Sequence, residues 1–173
     1  SSISFLSYKE KQLIEDKLDN VGQLSSLSID DVFSIINRVA PRAKWQGSEY
    51  EKYAKRSYAL LKAFDIKIIK HNDPNFPNLL KEIYDTPYVL FYRGNIKCLY
   101  EDCLAIVGTR RPTQKAMEAT YYLARDLAQV NKTIVSGLAL GIDTFAHKGS
   151  LSAENGKTVA ILPCGLDVIY PST

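Results

Sequence analysis

The chain has 173 residues, of which 46% are hydrophobic and 24% are charged, and its formal net charge is +3. This is the profile of an ordinary globular protein, and the charge is too small to indicate nucleic-acid binding by itself, so any basic site must be local. No stretch approaches the ~20 apolar residues of a membrane span and no signal peptide opens the chain, which makes a cytoplasmic protein the expectation.

Residues 1–65 are predicted to form a small helical domain of about three or four short helices. The first helix places three apolar residues on one face, namely Leu13, Ile14 and Leu18. Two further helix starts have the spacing of a capping box, namely Ser28 with Asp31 and Ser48 with Glu51. Pro41 lies between these two helices and is predicted to separate them.

Residues 66–101 are predicted to be a connector. The first β pattern of the chain, "IKIIK", opens it, and three prolines then break regular structure at positions 74, 77 and 87. The segment "YVLFY" is predicted to be a strand that ends before Gly94.

Residues 102–173 have the rhythm βαβαβ. The strands are "CLAIVG", "KTIVSG" and "KTVAILP", with one helix in each interval. Unbroken apolar strands suit a parallel sheet covered on both faces. Right-handed crossovers would make this the first half of a doubly wound, Rossmann-like α/β domain.

The first of these strands is expected to have an unpaired edge. In a doubly wound sheet its outer neighbour is the fourth strand, and "CLAIV" has neither proline nor lysine to discourage pairing. We therefore expect the 173 residues to belong to a longer polypeptide, and to associate if they are isolated.

Ligands of such sheets bind beyond the carboxyl ends of the strands, where two turns are expected. The first turn runs from Gly108 to Arg111 before a helix with Thr113 as its predicted N-cap. It lacks both the Gly-x-Gly-x-x-Gly fingerprint of dinucleotide sites and the Gly-Lys-Ser/Thr of a Walker loop. Neither NAD nor FAD is expected, and no cofactor is predicted.

Arg110 and Arg111 give the first turn an unusual basic character. A helix N-terminus favours an anion, and guanidinium groups bind phosphate with two parallel hydrogen bonds, so an extended polyanion would suit this turn. The alternative is that both arginines form salt bridges with carboxylates of the chain.

The second turn belongs to "SGLALGIDTFAHKG". Gly137 and Gly141 remove Cβ atoms where the backbone must approach either a neighbouring turn or a ligand. Asp143 and His147 are four residues apart on the next helix, so they could form an acid–base or metal pair. We favour a structural role, with Asp143 capping the helix and orienting His147, because no third ligand lies nearby.

The three cysteines show no zinc-type spacing and are expected to be free and buried: Cys98, Cys103 and Cys164.

Four ordered blocks resemble the DNA-processing protein A family, also called DprA or Smf. They are "DPNFPNLLKEIYDTPYVLFYRGN", "AIVGTRRP", "IVSGLALGIDTFAHKGSL" and "GKTVAILPCGLDVIYP". The helical residues 1–65 would then correspond to the sterile-alpha-motif-like domain that many members carry.

The resemblance implies a single-stranded DNA-binding recombination mediator and not an enzyme. Members protect incoming DNA during natural transformation and load the RecA recombinase on it. By motif, the residues that contact DNA phosphates would be Gly108, Thr109 and Arg110 in the first turn, with Arg111 as an added charge, and Ser136, Gly137 and Gly141 in the second. A homodimer is implied through parts of the family domain that lie beyond residue 173.

The chain also departs from the family pattern. The segment "PCGLD", which contains Cys164, stands where the family commonly has Gly-x-Gly-x-Asp, so one glycine is lost.

The alternative function is that of a nucleotide phosphoribohydrolase of the lysine-decarboxylase-like Rossmann family. Its Pro-Gly-Gly-x-Gly-Thr-x-x-Glu block does not occur in the chain.

Overall fold

The computed structural model describes residue 3, residues 5–39 and residues 44–171. The chain divides into two compact units, Ser1–Phe91 and Tyr92–Thr173. This division is coarser than the three predicted segments, whose boundaries stay predictions. Pro41 lies outside the described residues. Among those residues, none of the helices combines the length and the apolar character that crossing a membrane requires.

The N-terminal unit is mainly helical, as predicted, with α1 (Tyr8–Lys17), α2 (Ile29–Ile36) and α3 (Gly47–Ala63). The predicted capping box of Ser28 and Asp31 opens α2. The predicted box at Ser48 is wrong, because α3 already begins at Gly47 and no side chain caps it. A Cβ at Gly47 would lie 2.5 Å from the carbonyl oxygen of Ser25, so close backbone packing fixes this helix start.

A small apolar core holds α1 and α2 together. Its buried residues are Leu6, Ile14, Val32 and Ile36, and the indole of Trp45 packs against them while donating to the Leu27 carbonyl at 2.7 Å. Leu13 is 47% exposed, because successive helix residues are ~100° apart and Leu13 leaves the face of Ile14. Of the three residues predicted to share one apolar face of the first helix, Leu13 does not contribute to the core, whereas Ile14 and Leu18 do.

Two strands follow α3, and the boundary between the units falls before the last residue of the second strand. β1 (Lys67–Lys70) pairs with β2 (Val89–Tyr92), and the four-residue α4 (Asn78–Lys81) lies between them in the chain. The predicted strand "YVLFY" is confirmed, and the chain leaves it through Gly94, whose φ is +91°.

The C-terminal unit has the predicted βαβαβ order: β3 (Cys103–Ala105), α5 (Gln114–Gln129), β4 (Thr133–Ser136), α6 (Ile142–Leu151) and β5 (Thr158–Ala160). The strands form a parallel sheet in the order β3-β4-β5, with Ala105 opposite Val135 and Val135 opposite Val159. β3 lies at an edge, and in the described part of the chain it pairs with β4 alone.

Small residues bring α5 and α6 close together over the sheet. Ala124 and Ala146 pack on Ile134 of β4, and a Cβ at Gly149 would lie 2.2 Å from the Tyr121 carbonyl oxygen. Leu104 of β3 is 37% exposed, and just beyond the strands Val107 and Ile161 are 70% and 55% exposed. Cover on both faces of the sheet is therefore not found among the described residues. The three cysteines are free and half-buried rather than buried.

Candidate nucleic-acid interface

Two turns lie against each other at the carboxyl end of the sheet. We call residues 108–111 the arginine turn and residues 136–141 the glycine turn. The Ile142 amide, just after the glycine turn, donates to the Thr109 carbonyl at 3.1 Å. A Cβ at Gly141 would lie 2.3 Å from that same oxygen, and Gly141 has a φ of +87°. Of the two alternatives for Gly141, the neighbouring turn is therefore the one that the structure supports.

A second close approach involves Gly108. A Cβ there would lie 2.8 Å from the Cγ1 atom of Ile142, which is tighter than side-chain carbons pack. The first residue of α6 thus rests on bare backbone of the arginine turn. The contact therefore fixes the position of the arginine turn relative to the start of α6.

Asp143 links the two turns by hydrogen bonds. Its carboxylate is buried and accepts from the Gly137 amide at 3.1 Å, with longer bonds from the amides of Gly108 and Ala139 at 3.4 Å each. The hydroxyl of Thr144 adds a bond of 2.7 Å to the Ala139 carbonyl. One carboxylate therefore organises backbone from both turns.

His147 takes part in a different interaction from the one expected. Its Nδ1 atom lies 2.7 Å from the Thr158 hydroxyl, which donates its own hydrogen to the Ile134 carbonyl at 2.8 Å. Nδ1 must therefore carry the proton, and the buried Nε2 has no hydrogen-bond partner among the described residues. Burial lowers the pKa of His147 from its usual 6.5, and the Asp143 carboxylate opposes this shift.

The pairing of Asp143 with His147 is thus electrostatic, since their hydrogen bonds go to different partners. A neutral imidazole with its Nδ1 proton engaged by Thr158 does not form the alternative acid–base pair. Nor does the described part of the chain bring together three histidine, cysteine or acidic side chains that could hold a metal ion.

The side chains of Arg110 and Arg111 are exposed. No described carboxylate forms a salt bridge with either of them, which removes the support for the alternative role. The Arg111 amide donates to the Thr109 hydroxyl at 3.1 Å, which closes the turn locally. The chain then enters α5 at the predicted N-cap, where the Thr113 hydroxyl accepts from the Ala116 amide at 3.2 Å. Two exposed guanidinium groups and a helix N-terminus therefore lie within one short segment.

Most of the other predicted phosphate contacts are groups that already form hydrogen bonds within the chain. Ser136 is buried and its hydroxyl donates to the Ile106 carbonyl at 2.7 Å. The amides of Gly108 and Gly137 are engaged by Asp143. The structure thus brings all seven predicted residues into two adjoining turns, and the four residues of the arginine turn are the exposed ones, although the Gly108 amide is engaged by Asp143.

Sequence reasoning missed the groups that hold the turns in place. These are the side chains of Ile142 and Thr144 and the amide of Ala139. The bond between Gly108 and Asp143 joins residues 35 positions apart, and no local pattern announces such a partner. The glycines of both turns were the available signal, because they mark backbone that something must approach closely.

A comparison with protein families decides the relationship. Residues 67–173 match the family model described as DNA recombination-mediator protein A. The chain belongs to this family. It is 31% identical to the protein Smf of Borreliella burgdorferi over 98% of this chain and 53% of that protein. It is 33% identical to the DNA processing protein DprA of Bacillus subtilis over 81% of this chain and 48% of that one.

Solved structures of DprA proteins agree with this assignment. The X-ray structure of DprA from Streptococcus pneumoniae aligns with a TM-score of 0.68 and 31% identity, covering 99% of this chain and 56% of that one. The structure of DprA from Helicobacter pylori, whose title concerns its single-stranded DNA binding mode, aligns with a TM-score of 0.55 and 37% identity over 62% of this chain and 46% of that one. The chain thus spans about half the length of these relatives.

Proposed function

We propose that this DprA/Smf-family chain binds single-stranded DNA through its arginine turn and acts as a recombination mediator. The observation that carries the proposal is the exposure of Arg110 and Arg111 without a carboxylate partner among the described residues, in a turn held rigidly from behind. In the cytoplasm, the protein would protect incoming DNA during natural transformation and load RecA on it, acting as a homodimer.

The chemistry of the turn suits a strand of phosphates. A guanidinium group offers a planar fork that matches two phosphate oxygens, and two adjacent forks can contact successive phosphates of an extended chain. The N-terminus of α5 adds a positive dipole end beside them. A single buried nucleotide would instead need a cradle of free amides, and Asp143 already engages those of Gly108 and Gly137.

The fold supports the same proposal. A parallel sheet in the order β3-β4-β5 with α5 and α6 packed together is what the first half of a Rossmann-like, doubly wound domain provides. The arginine turn then occupies the carboxyl edge where ligands of such domains bind. For the helices of the N-terminal unit, we propose a sterile-alpha-motif-like domain.

The test is the double substitution Arg110→Ala with Arg111→Ala, measured against a poly-dT oligomer over a range of salt concentrations. Affinity should fall, and the slope of log affinity against log salt should flatten by about 0.7 for each phosphate of the single strand that the arginines no longer neutralise. Arg125→Ala is the matched control, because Arg125 pairs with Asp126 on α5 and should change neither quantity.

If the double variant binds the oligomer like the parent, the arginine turn is not the DNA site. Release of ribose 5-phosphate from a nucleoside monophosphate would support the alternative enzyme function instead. That assay is run on the same two preparations.

A further inference from the structure

The carboxylate of Asp143 occupies a position that invites an anion. Three backbone amides from two different turns point at it, those of Gly108, Gly137 and Ala139. The side chain is only 6% exposed, and its α6 helix contributes a positive N-terminal end. Convergent amides at a helix N-terminus form the usual setting of a bound phosphate in parallel α/β sheets.

We propose that Asp143 is a built-in anion that fills this amide site and thereby positions the arginine turn for DNA. The inference rests on the proposed function for the DNA-binding part of the claim. Asp143 is a positioning residue, because its carboxylate contacts the backbone behind the turn and the exposed guanidinium groups lie beyond it.

The geometry around the carboxylate restricts which side chains fit at position 143. A Cβ at Gly137 would lie 2.8 Å from an Asp143 oxygen, so the glycine turn closes directly over the carboxylate. An amide side chain at position 143 would turn an NH₂ group toward at least one of the backbone N–H donors, and two donors cannot bond each other. An alanine would leave these buried donors without an acceptor, which is costly.

Selectivity follows from the same arrangement. With its own carboxylate in the amide site, the protein has no room there for the phosphate of a free nucleotide. The negative charge of the carboxylate would also repel a phosphate placed beside it. Phosphates are confined to the outer side of the turn, where successive groups of a strand can pass. The internal anion thus favours a polymer over a mononucleotide.

The experiment compares Asp143→Ala and Asp143→Asn with the parent in chloride and in formate of equal ionic strength. Asp143→Ala should lower the affinity for a dT oligomer by about tenfold or more, the scale of a missing charge-assisted hydrogen bond, and should lower the unfolding temperature. Formate, which is the carboxylate that this substitution removes, should restore both quantities. Asp143→Asn should respond to formate no more than the parent does, because its side chain fills the space.

Asp126→Ala is the matched control, since Asp126 is an exposed carboxylate on α5 whose side chain pairs with Arg125. It reports any general effect of formate on stability or binding. If formate restores Asp143→Ala no better than it affects this control, the built-in anion is refuted. If Asp143→Ala fails to fold in chloride, recovery of folding in formate is the readout, and its absence counts against the proposal.

Combination with the arginine variant separates the two proposals. In the Arg110→Ala, Arg111→Ala background, Asp143→Ala should change DNA affinity by less than about twofold, because coupled residues do not add. A full additional loss of affinity would show that Asp143 does not act through the arginines. Parent-like DNA binding by the arginine variant would overturn the proposed function, while formate rescue of folding would still support the internal anion.

Discussion

Gly141 is the residue whose backbone most directly ties the two turns together. Its φ of +87° is disfavoured for any residue with a Cβ, and the Cβ itself would lie 2.3 Å from the Thr109 carbonyl oxygen and 2.8 Å from the Arg110 Cα atom. Gly141→Ala should therefore destabilise the protein by more than about 3 kcal/mol and weaken DNA binding, because the clash displaces the arginine turn.

Gly94 offers a matched control for that substitution. Its φ is +91°, yet nothing lies within 4 Å of a Cβ at this position. Gly94→Ala should cost only the backbone penalty of about 1 kcal/mol and leave DNA affinity unchanged. Thermal unfolding and a dT-binding titration of both variants measure the difference. Equal effects of the two substitutions would contradict the close contact between the turns.

At the scale of single residues, the sequence predicts where another group approaches the backbone closely better than it predicts what a side chain contacts. Gly137 and Gly141 are predictable as points of close approach, and the structure assigns each a partner. Asp143 is expected from the sequence to orient His147, but it accepts from backbone amides, and one of them, that of Gly108, lies 35 positions away. Spacing along one helix shows which side chains are near each other, whereas a longer-range partner depends on the tertiary fold.

Among the elements, α1 is fastened at its first turn by two interactions that share one carboxylate. Glu10 accepts from the Ser7 amide at 2.8 Å in a capping box, and from the Arg38 guanidinium at 2.6 Å just beyond α2. Arg38 also donates to the Phe5 carbonyl at 3.0 Å. The hydrogen bonds from Arg38, and then those from Ser7, hold the pKa of Glu10 at about 2 against the opposing effect of burial.

Glu10→Gln should lower the unfolding temperature of the N-terminal unit at neutral pH by on the order of a few degrees, since Arg38 is half-exposed and solvent weakens the pair. The folded-state pKa lies below the ordinary value of 4.5, so the stabilisation is present above pH 4.5 and is lost as pH falls toward about 2. The difference between parent and variant should therefore vanish in acid.

The single tryptophan, Trp45, reports this transition by fluorescence because it packs against the core of the N-terminal unit. Glu51→Gln is the control, since Glu51 forms an exposed i,i+4 pair with Lys55 on α3 and should change little. A parent-like Glu10→Gln at neutral pH would show that the pair with Arg38 contributes nothing.

Element types follow from the sequence more closely than element ends. The βαβαβ order is predictable because apolar runs and amphipathic stretches alternate, and the capping box before α2 is confirmed. The start of α3 is not predictable in this way, since Gly47 is required by contact with Ser25, which lies 22 positions earlier. β3 and β5 are also only three residues long, shorter than the apolar runs "CLAIVG" and "KTVAILP" that predict them.

On the scale of the whole molecule, each compact unit holds one histidine that is partly or fully buried. His71 of the N-terminal unit lies between the rings of Tyr8 and Phe76, at centroid distances of 4.5 Å and 5.2 Å. His147 lies in the C-terminal unit against Thr158. Composition shows only that the chain has two histidines; burial, which the fold determines, lowers the pKa of both and so links the stability of the protein to pH.

Both units should lose stability as the pH falls below about 6.5. Burial lowers the folded-state pKa of each histidine, helped at His71 by the nearby Lys81 charge and opposed at His147 by Asp143. Above the ordinary value of 6.5, both states are neutral; below it, the unfolded chain binds protons that the folded one does not, so unfolding is favoured.

The test is a double variant. His71→Phe preserves the ring contacts, and His147→Asn retains a donor for Thr158. The double variant should therefore show a flatter dependence of unfolding temperature between about pH 7 and 5.5, above the range where carboxylates titrate. Calorimetry follows both units, and Trp45 fluorescence isolates the contribution of His71. A slope in the double variant as steep as in the parent would show that other groups take up the protons.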